Sequence, residues 1–549
     1  MTPEFGRSRR SARAILAALL LTVALPATSI AWHDGNTDFP SYVSLVGAYA
    51  PGGATPGAVA PLINSGEVFD GVTFQGLPDG LGVVPGPGRT GWVDIYVAHE
   101  ESHVPFGLTS TTVFADFQDS SVTRVRVDIA TKAILEMEVA LPASAGLIRF
   151  CSAFMAGPEH GFPHYTFLVN EESNDILDVP AGAPYGPDTA SLGTQRQAGY
   201  AGYLDTRTGM FDVIPGAGRH NHENTVVVPG GWKKEIVSLS GDDTFTSTSS
   251  PAMPNLSQLY MYGAKNWIKF IGDEGALWAF RVTGTDAGPV NPADPQNDAN
   301  DFFDISVGET FTGEFIEVDP AVARGQTADR PQDALEIWSN ANNVFQFIRV
   351  EDVAYDPDNP RVVYFADTGN TRLLHDDGTG RLWRAPSGTP GTLSSIGRIF
   401  KMVLNADDPR VVDDFSILLD ASAIGMRNPD NLDVGHNSLM VQEDVSDAKI
   451  WLFDLDETWT HVGTVDRDQD PATSDTGESS GIIDVSRWFG DGWWALDVQA
   501  HDSHVVLDPT TSDPATWHTW RTPPIPPGGA QYRKHLEDGQ LLLMFIPGS

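Results

Sequence analysis

Short apolar runs with alternating polar positions, broken every eight to twelve residues by Gly, Pro, Asn or Asp, dominate this chain and predict strands rather than helices. The pattern is clearest from Glu223 to Pro229, Glu235 to Asp243 and Ser257 to Tyr262, which read as three consecutive strands joined by short turns. A second copy runs Glu351–Pro357, Arg361–Asp367 and Gly380–Arg384, and a third runs Asp430–Asp433, Ser438–Asp444 and Lys449–Phe453. The third strand of each copy carries an aromatic residue, as packing between neighbouring sheets requires.

A polar residue at the start of one strand recurs with carboxylates or polar substitutes at the end of the next. The pairs are Asp79 with His99, Glu100 and Glu101; Cys151 with Glu171 and Glu172; Glu223 with Asp242 and Asp243; Glu351 and Asp352 with Asp367; Asp430 and Asn431 with Glu443 and Asp444; and Ser480 with Gln499 and His501. Six units predict an all-β fold, a six-bladed β-propeller in which these groups gather at one height around a central channel. Residues 32–549 form that domain, with an insertion or cap at about 273–347 that contains a short helix near Pro331 to Asn340.

Clustered buried carboxylates repel one another unless protons or cations neutralise them, so the repeat predicts bound cations. The formal charge of −39 and pI of about 4.5 exclude nucleic acid and anionic membranes as natural partners. Arg7 to Arg13 followed by the apolar run Ala14–Leu25 reads as an export signal over residues 1–31, and the Arg9, Arg10 pair suits a twin-arginine route to the periplasm or the medium. No later stretch is long and apolar enough to span a bilayer. A single cysteine, Cys151, rules out an intramolecular disulfide.

Cys151 occupies the repeat position that holds Glu223 in the following unit, and a thiolate among carboxylates suits a transition metal beside calcium. Arg219 lies near Glu223, and Arg349 stands two residues before Glu351 on the same side of a strand, where it can fork onto a phosphate. His220, His222, His160, His164 and His504 read as hydrogen-bonded or solvated, whereas His99 and His501 fall at repeat positions. The loop from Asp466 to Asp470 starts like a calcium loop but lacks its glycine and closing acid.

These motifs resemble the PhoX family of exported alkaline phosphatases. The resemblance implies a propeller with calcium and iron in its channel and small phosphorylated substrates, with Cys151 ligating iron and Glu172 calcium. It also implies that Glu223 and Glu351 ligate the cluster, that Asp242 matches an acid at the end of the next strand, and that Arg349 holds the phosphoryl group. The full predicted set is catalytic Arg349, Glu351 and Glu223; metal ligands Cys151, Glu171, Glu172, Glu223, Asp242, Glu351, Asp352, Asp430 and Glu100; and substrate-binding Arg349 and Arg219, in a monomer. The chain departs from the family after Cys151, where Ser152 to Met155 replace a glycine-rich turn, and at Asn170, which stands at a second cysteine position. Two rival readings are a lactonase-type hydrolase with one catalytic calcium and a non-catalytic propeller that calcium rigidifies.

Overall fold

The computed structural model describes residues 36–37, 39–88, 90–100, 120–233, 235–244, 250–283, 300–454, 458–466, 477–506, 519–521 and 535–549. The export segment, Glu101, the loop from 467 and the side chains of His501 and His504 lie outside what it describes.

The strands form a six-bladed propeller whose inner strands are Pro78–Pro85, Ala153–Ala156, His222–Val228, Val350–Tyr355, Pro429–Val434 and Glu478–Asp484, blades one to six in turn. Each inner strand touches the next, and the sixth returns to the first. Blade one continues outward through Trp92–His99, Ser121–Asp128 and Ile134–Leu141, all antiparallel. Closure comes from the N-terminal part of the chain. Ala58–Asn64 pairs with His535–Phe545 as the outer strand of blade six, and Val43–Leu45 adds a fifth strand to blade five.

Blades three and four share one nine-stranded sheet, because Phe311–Glu317 outside blade three pairs with Val411–Asp420 of blade four. The stretch read as an insertion thus supplies Ala276–Thr283 and Phe311–Glu317 to this sheet, followed by a helix over Pro331–Ala341. Between the two blades Phe280, Phe347, Phe365, Phe400 and Phe415 pack edge and face in the largest apolar cluster, which holds the two blades at a fixed angle. The third strand of blade four is Arg398–Leu404, not Gly380–Arg384 as the sequence predicts. Leu382–Arg384 instead belongs to a separate three-stranded sheet with Asn370–His375 and Leu393–Ser395.

A repeated irregularity positions the channel residues. In blades one, three, four and five the inner strand carries one extra residue just after its last regular pair, at Pro78/Leu81, His222/Thr225, Val350/Val353 and Pro429/Leu432. Such a bulge re-aims side chains, and here it falls on Asp79, Glu223, Glu351 and Asp430. Two residues before the channel position, Leu77, Arg149 and Asn428 share a left-handed backbone, with φ of 47°, 50° and 47°. Blade six bulges later, between Ser480 and Ile483.

Candidate metal centre

Asp79, Glu100, Cys151, Glu172 and Glu223 come together at one mouth of the channel. Ligand atoms of Asp79, Glu100 and Cys151 lie within 4.8 Å of one another, and so do those of Cys151, Glu172 and Glu223, so the thiol is shared by two adjoining clusters. The Cys151 Sγ lies 3.2 Å from Asp79 Oδ2, which also accepts a hydrogen bond from Gln499 Nε2 at 2.7 Å. Arg149 Nε stands 2.7 Å from Glu172 Oε2 and 3.3 Å from Glu100 Oε2, bridging the clusters. Asn221 Nδ2 donates to Glu172 Oε1 at 3.3 Å.

Arg349 forms a second pole. Its Nε and one terminal nitrogen donate to both oxygens of Asp243 at 2.7 Å each; that nitrogen lies 3.2 Å from Glu351 Oε1, and the other lies 3.6 Å from Asp444 Oδ2. The planar fork thus joins Asp243, Glu351 and Asp444 around one guanidinium.

Burial governs the protonation of this mouth. Desolvation, then Glu351 and Glu172, pushes the Glu223 carboxyl well above its usual range, and desolvation with Glu100 does the same to Asp79. Desolvation and then Asp79 and Glu223 hold the Cys151 thiol up, while burial raises Glu172, Glu351 and Asp430 although Arg149 and Arg349 oppose it at the two glutamates. Burial thus favours the protonated forms at this mouth, and bound cations would offset the same charge. Asp79 Oδ1 is buried without a hydrogen-bond partner, an orphaned oxygen that suits a cation. Several carboxylates and one thiol fit a hard cation beside a thiophilic one.

In three acid pairs at the ends of second strands, Glu171 and Glu172, Asp242 and Asp243, and Glu443 and Asp444, the first residue braces the blade and the second turns toward the mouth. Glu171, predicted as a ligand, is instead gripped by Arg196 and accepts from the backbone N–H groups of Ile148, Gly199 and Tyr200. Its companion Glu172 belongs to the cluster. Asp242 accepts from Thr244 Oγ1 and stands near Glu336, while Asp243 holds Arg349. Glu443 caps Arg427, Lys449 and Trp451, while Asp444 approaches Arg349.

Asp352, also predicted as a ligand, joins three blades instead: it accepts from Asn224 Nδ2, from Val353 N at 2.7 Å and from Leu432 N at 3.0 Å. Arg219 is fully buried against Tyr200 and bound to Asp188 and the carbonyls of Gln197 and Gly199, so it is a brace and not a substrate contact. Asp430 stands within electrostatic reach of Glu351 and Asp444. His99 bonds Thr123, and His220 and His222 stack 3.5 Å apart against Ser240, with His222 pushed down to about 3 by burial. Sequence reasoning overlooked Arg149, although its place two residues before Cys151 repeats the spacing of Arg349 and Glu351.

No protein-family model matches the chain, and no curated protein matches it. Among solved structures it is similar to Pseudomonas fluorescens PhoX in complex with vanadate, described as a transition state analogue, with a TM-score of 0.56 at 13% identity over 93% of this chain and 96% of that one. A mutant of the Synechocystis apocarotenoid oxygenase aligns at a TM-score of 0.28 and 10% identity over 72% of this chain and 63% of its own, too weakly to bear on the argument. What the chain shares with PhoX, over nearly the full length of both, is the fold of a six-bladed propeller.

Proposed function

We propose that this chain is an exported, metal-dependent hydrolase of phosphate esters. The observation that carries the reading is Cys151 shared between Asp79 with Glu100 and Glu172 with Glu223, at the same mouth as an arginine two residues from Glu351. Cys151, Asp79, Glu100, Glu172 and Glu223 would hold the cations, with calcium suited to the carboxylates and iron to the thiolate. Bound cations supply Lewis-acid charge that offsets the phosphoryl oxygens and the leaving oxygen.

The chain's own residues supply the rest. Arg349, fixed by both oxygens of Asp243, would set its positive charge against a phosphoryl oxygen. Arg149 balances Glu100 and Glu172, so that the mouth tolerates an anionic substrate despite its acids. Glu223 and Glu351, both buried, exclude bulk water from the space between them and Arg349.

The reading is tested with p-nitrophenyl phosphate and purified full-length protein. Calcium-dependent release of p-nitrophenol is expected, lost in Glu223→Gln, with iron and calcium both found by elemental analysis. Protein that retains its metals and yet releases nothing would refute the phosphatase assignment, and calcium alone with lactone hydrolysis would favour the lactonase reading.

A further inference from the structure

A cavity of about 220 Å³ occupies the channel on the far side of the acidic mouth. It starts one residue beyond the channel groups, at Gly80, Ser152, Asn224, Asp352, Asn431 and Gly481, and reaches solvent beside the exposed Glu159 and Pro357. It shares no residue with the metal centre.

Its lining combines two features. Aromatic walls come from Phe154, Tyr165, Tyr355 and Trp488, while carboxylates come from Glu159, Asp352, Asp433 and Asp484, and no lysine or arginine is among the lining residues described. Arg487, next to the lining Trp488, is engaged with Glu159 at 3.3 Å. Asp433 accepts from the N–H groups of Val434 and Asp484, and Asp484 accepts from Ser486 through Oδ1, so both acids are held rigidly. His160 accepts from Gly157 N through Nδ1 and therefore donates through Nε2 to the Tyr355 hydroxyl at 2.8 Å, a neutral imidazole that adds no positive charge. At the inner end, Ser152 Oγ and Asn224 Oδ1 are buried oxygens with no hydrogen-bond partner, on residues only 2% and 8% exposed. A buried acceptor without a donor is costly, and a ligand carrying N–H groups removes that cost.

We propose that this cavity is a binding site for an organic ammonium ion, whose charged group lies among the aromatic faces and Asp433 and Asp484 while a donor on its body reaches Ser152 Oγ and Asn224 Oδ1 at the inner end. Aromatic rings attract such cations through their negative faces, and carboxylates in a partly desolvated setting add to the attraction. An ammonium ion favours the ionised form of these carboxyls, whereas an anionic ligand finds no lysine or arginine among the described lining residues. The site stands apart from the proposed phosphatase chemistry and does not require it.

Calorimetric titration of metal-loaded, full-length protein with benzylammonium chloride tests the inference. One saturable site is expected, with benzyl alcohol of the same shape binding at least tenfold more weakly. Asp484→Asn, which keeps the oxygen accepting from Ser486, and Trp488→Ala should each weaken binding about fivefold or more, with unchanged melting transitions; if Trp488→Ala fails to fold, Asp484→Asn decides alone. Absence of saturable heat, equal affinity for the alcohol, or undiminished binding by the folded variants would each overturn it. Loss of binding in Glu351→Gln alone would place the amine at the acidic mouth and overturn it as well.

Discussion

At the scale of single residues, neighbouring acids at the ends of second strands take different partners. Glu171 and Glu172 are chemically equal neighbours, yet one is neutralised by Arg196 and backbone donors while the other has Arg149 and Asn221 and lies within reach of Cys151. Charge alone could not rank them, because both lie just past the end of Thr166–Asn170 and only the assembled fold brings Arg196 to the first and Arg149 to the second. The Arg349, Glu351 spacing was legible, since residues two apart in a strand share a face. Its anchor Asp243, over a hundred positions away, was not, because only the assembled blades bring it within 2.7 Å. Arg349→Lys removes the bidentate fork on Asp243 and the planar donor set; kcat/KM for p-nitrophenyl phosphate should fall about 100-fold or more, with metal content unchanged. An unaffected rate would show that Arg349 is only a brace.

At the scale of elements, the bulges and the left-handed residues ahead of them make up the repeat that hydrophobic patterning cannot show. Patterning found the strands of blades three and five because they are short runs of six or seven residues, buried on both faces and bounded by turn residues. It misplaced the third strand of blade four because Leu382, Trp383 and Arg384 imitate a strand within the small sheet inserted after Asp367, while Arg398–Leu404 lies beyond it. Where an inner strand bulges, side chains have no room: a Cβ on Gly481, at φ +55°, would sit 2.4 Å from the carbonyl oxygen of Asp79. Gly481→Ala should therefore cost about 2 kcal/mol of stability, read as a lower urea midpoint at constant slope, and it should weaken metal retention because it displaces Asp79. A midpoint equal to that of the parent protein would show that blades six and one can yield at this contact.

At the scale of the whole molecule, the toroid concentrates buried acid, and pH and cations should act on its stability together. Burial first of all pushes Asp352 and Asp367 up to about 7 and Asp433 up to about 8, and raises Asp79, Glu172, Glu223, Glu351 and Asp430 in the same direction. A carboxyl whose folded value exceeds its unfolded one adds stability at acid pH and loses it as the pH rises through the folded value. Chelated protein is thus expected to melt at a lower temperature at pH 8.5 than at pH 5, and calcium should narrow that difference by replacing protons at the acidic mouth. Equal melting temperatures at both pH values without metal would contradict this account of the channel. The six-bladed plan was legible from the recurrence of polar starts and acidic ends, but the seam joining blades three and four was not, since Phe311 and Phe415 meet across a long excursion of chain that carries no repeat. The closure by Ala58–Asn64 also ties the two ends of the ring together. Asp79 and Gln499 are bonded at 2.7 Å although 420 positions separate them, so this contact forms only when the first and sixth blades meet. Loss of the strand His535–Phe545 should therefore leave the ring open and that contact unmade, however well the early blades have folded.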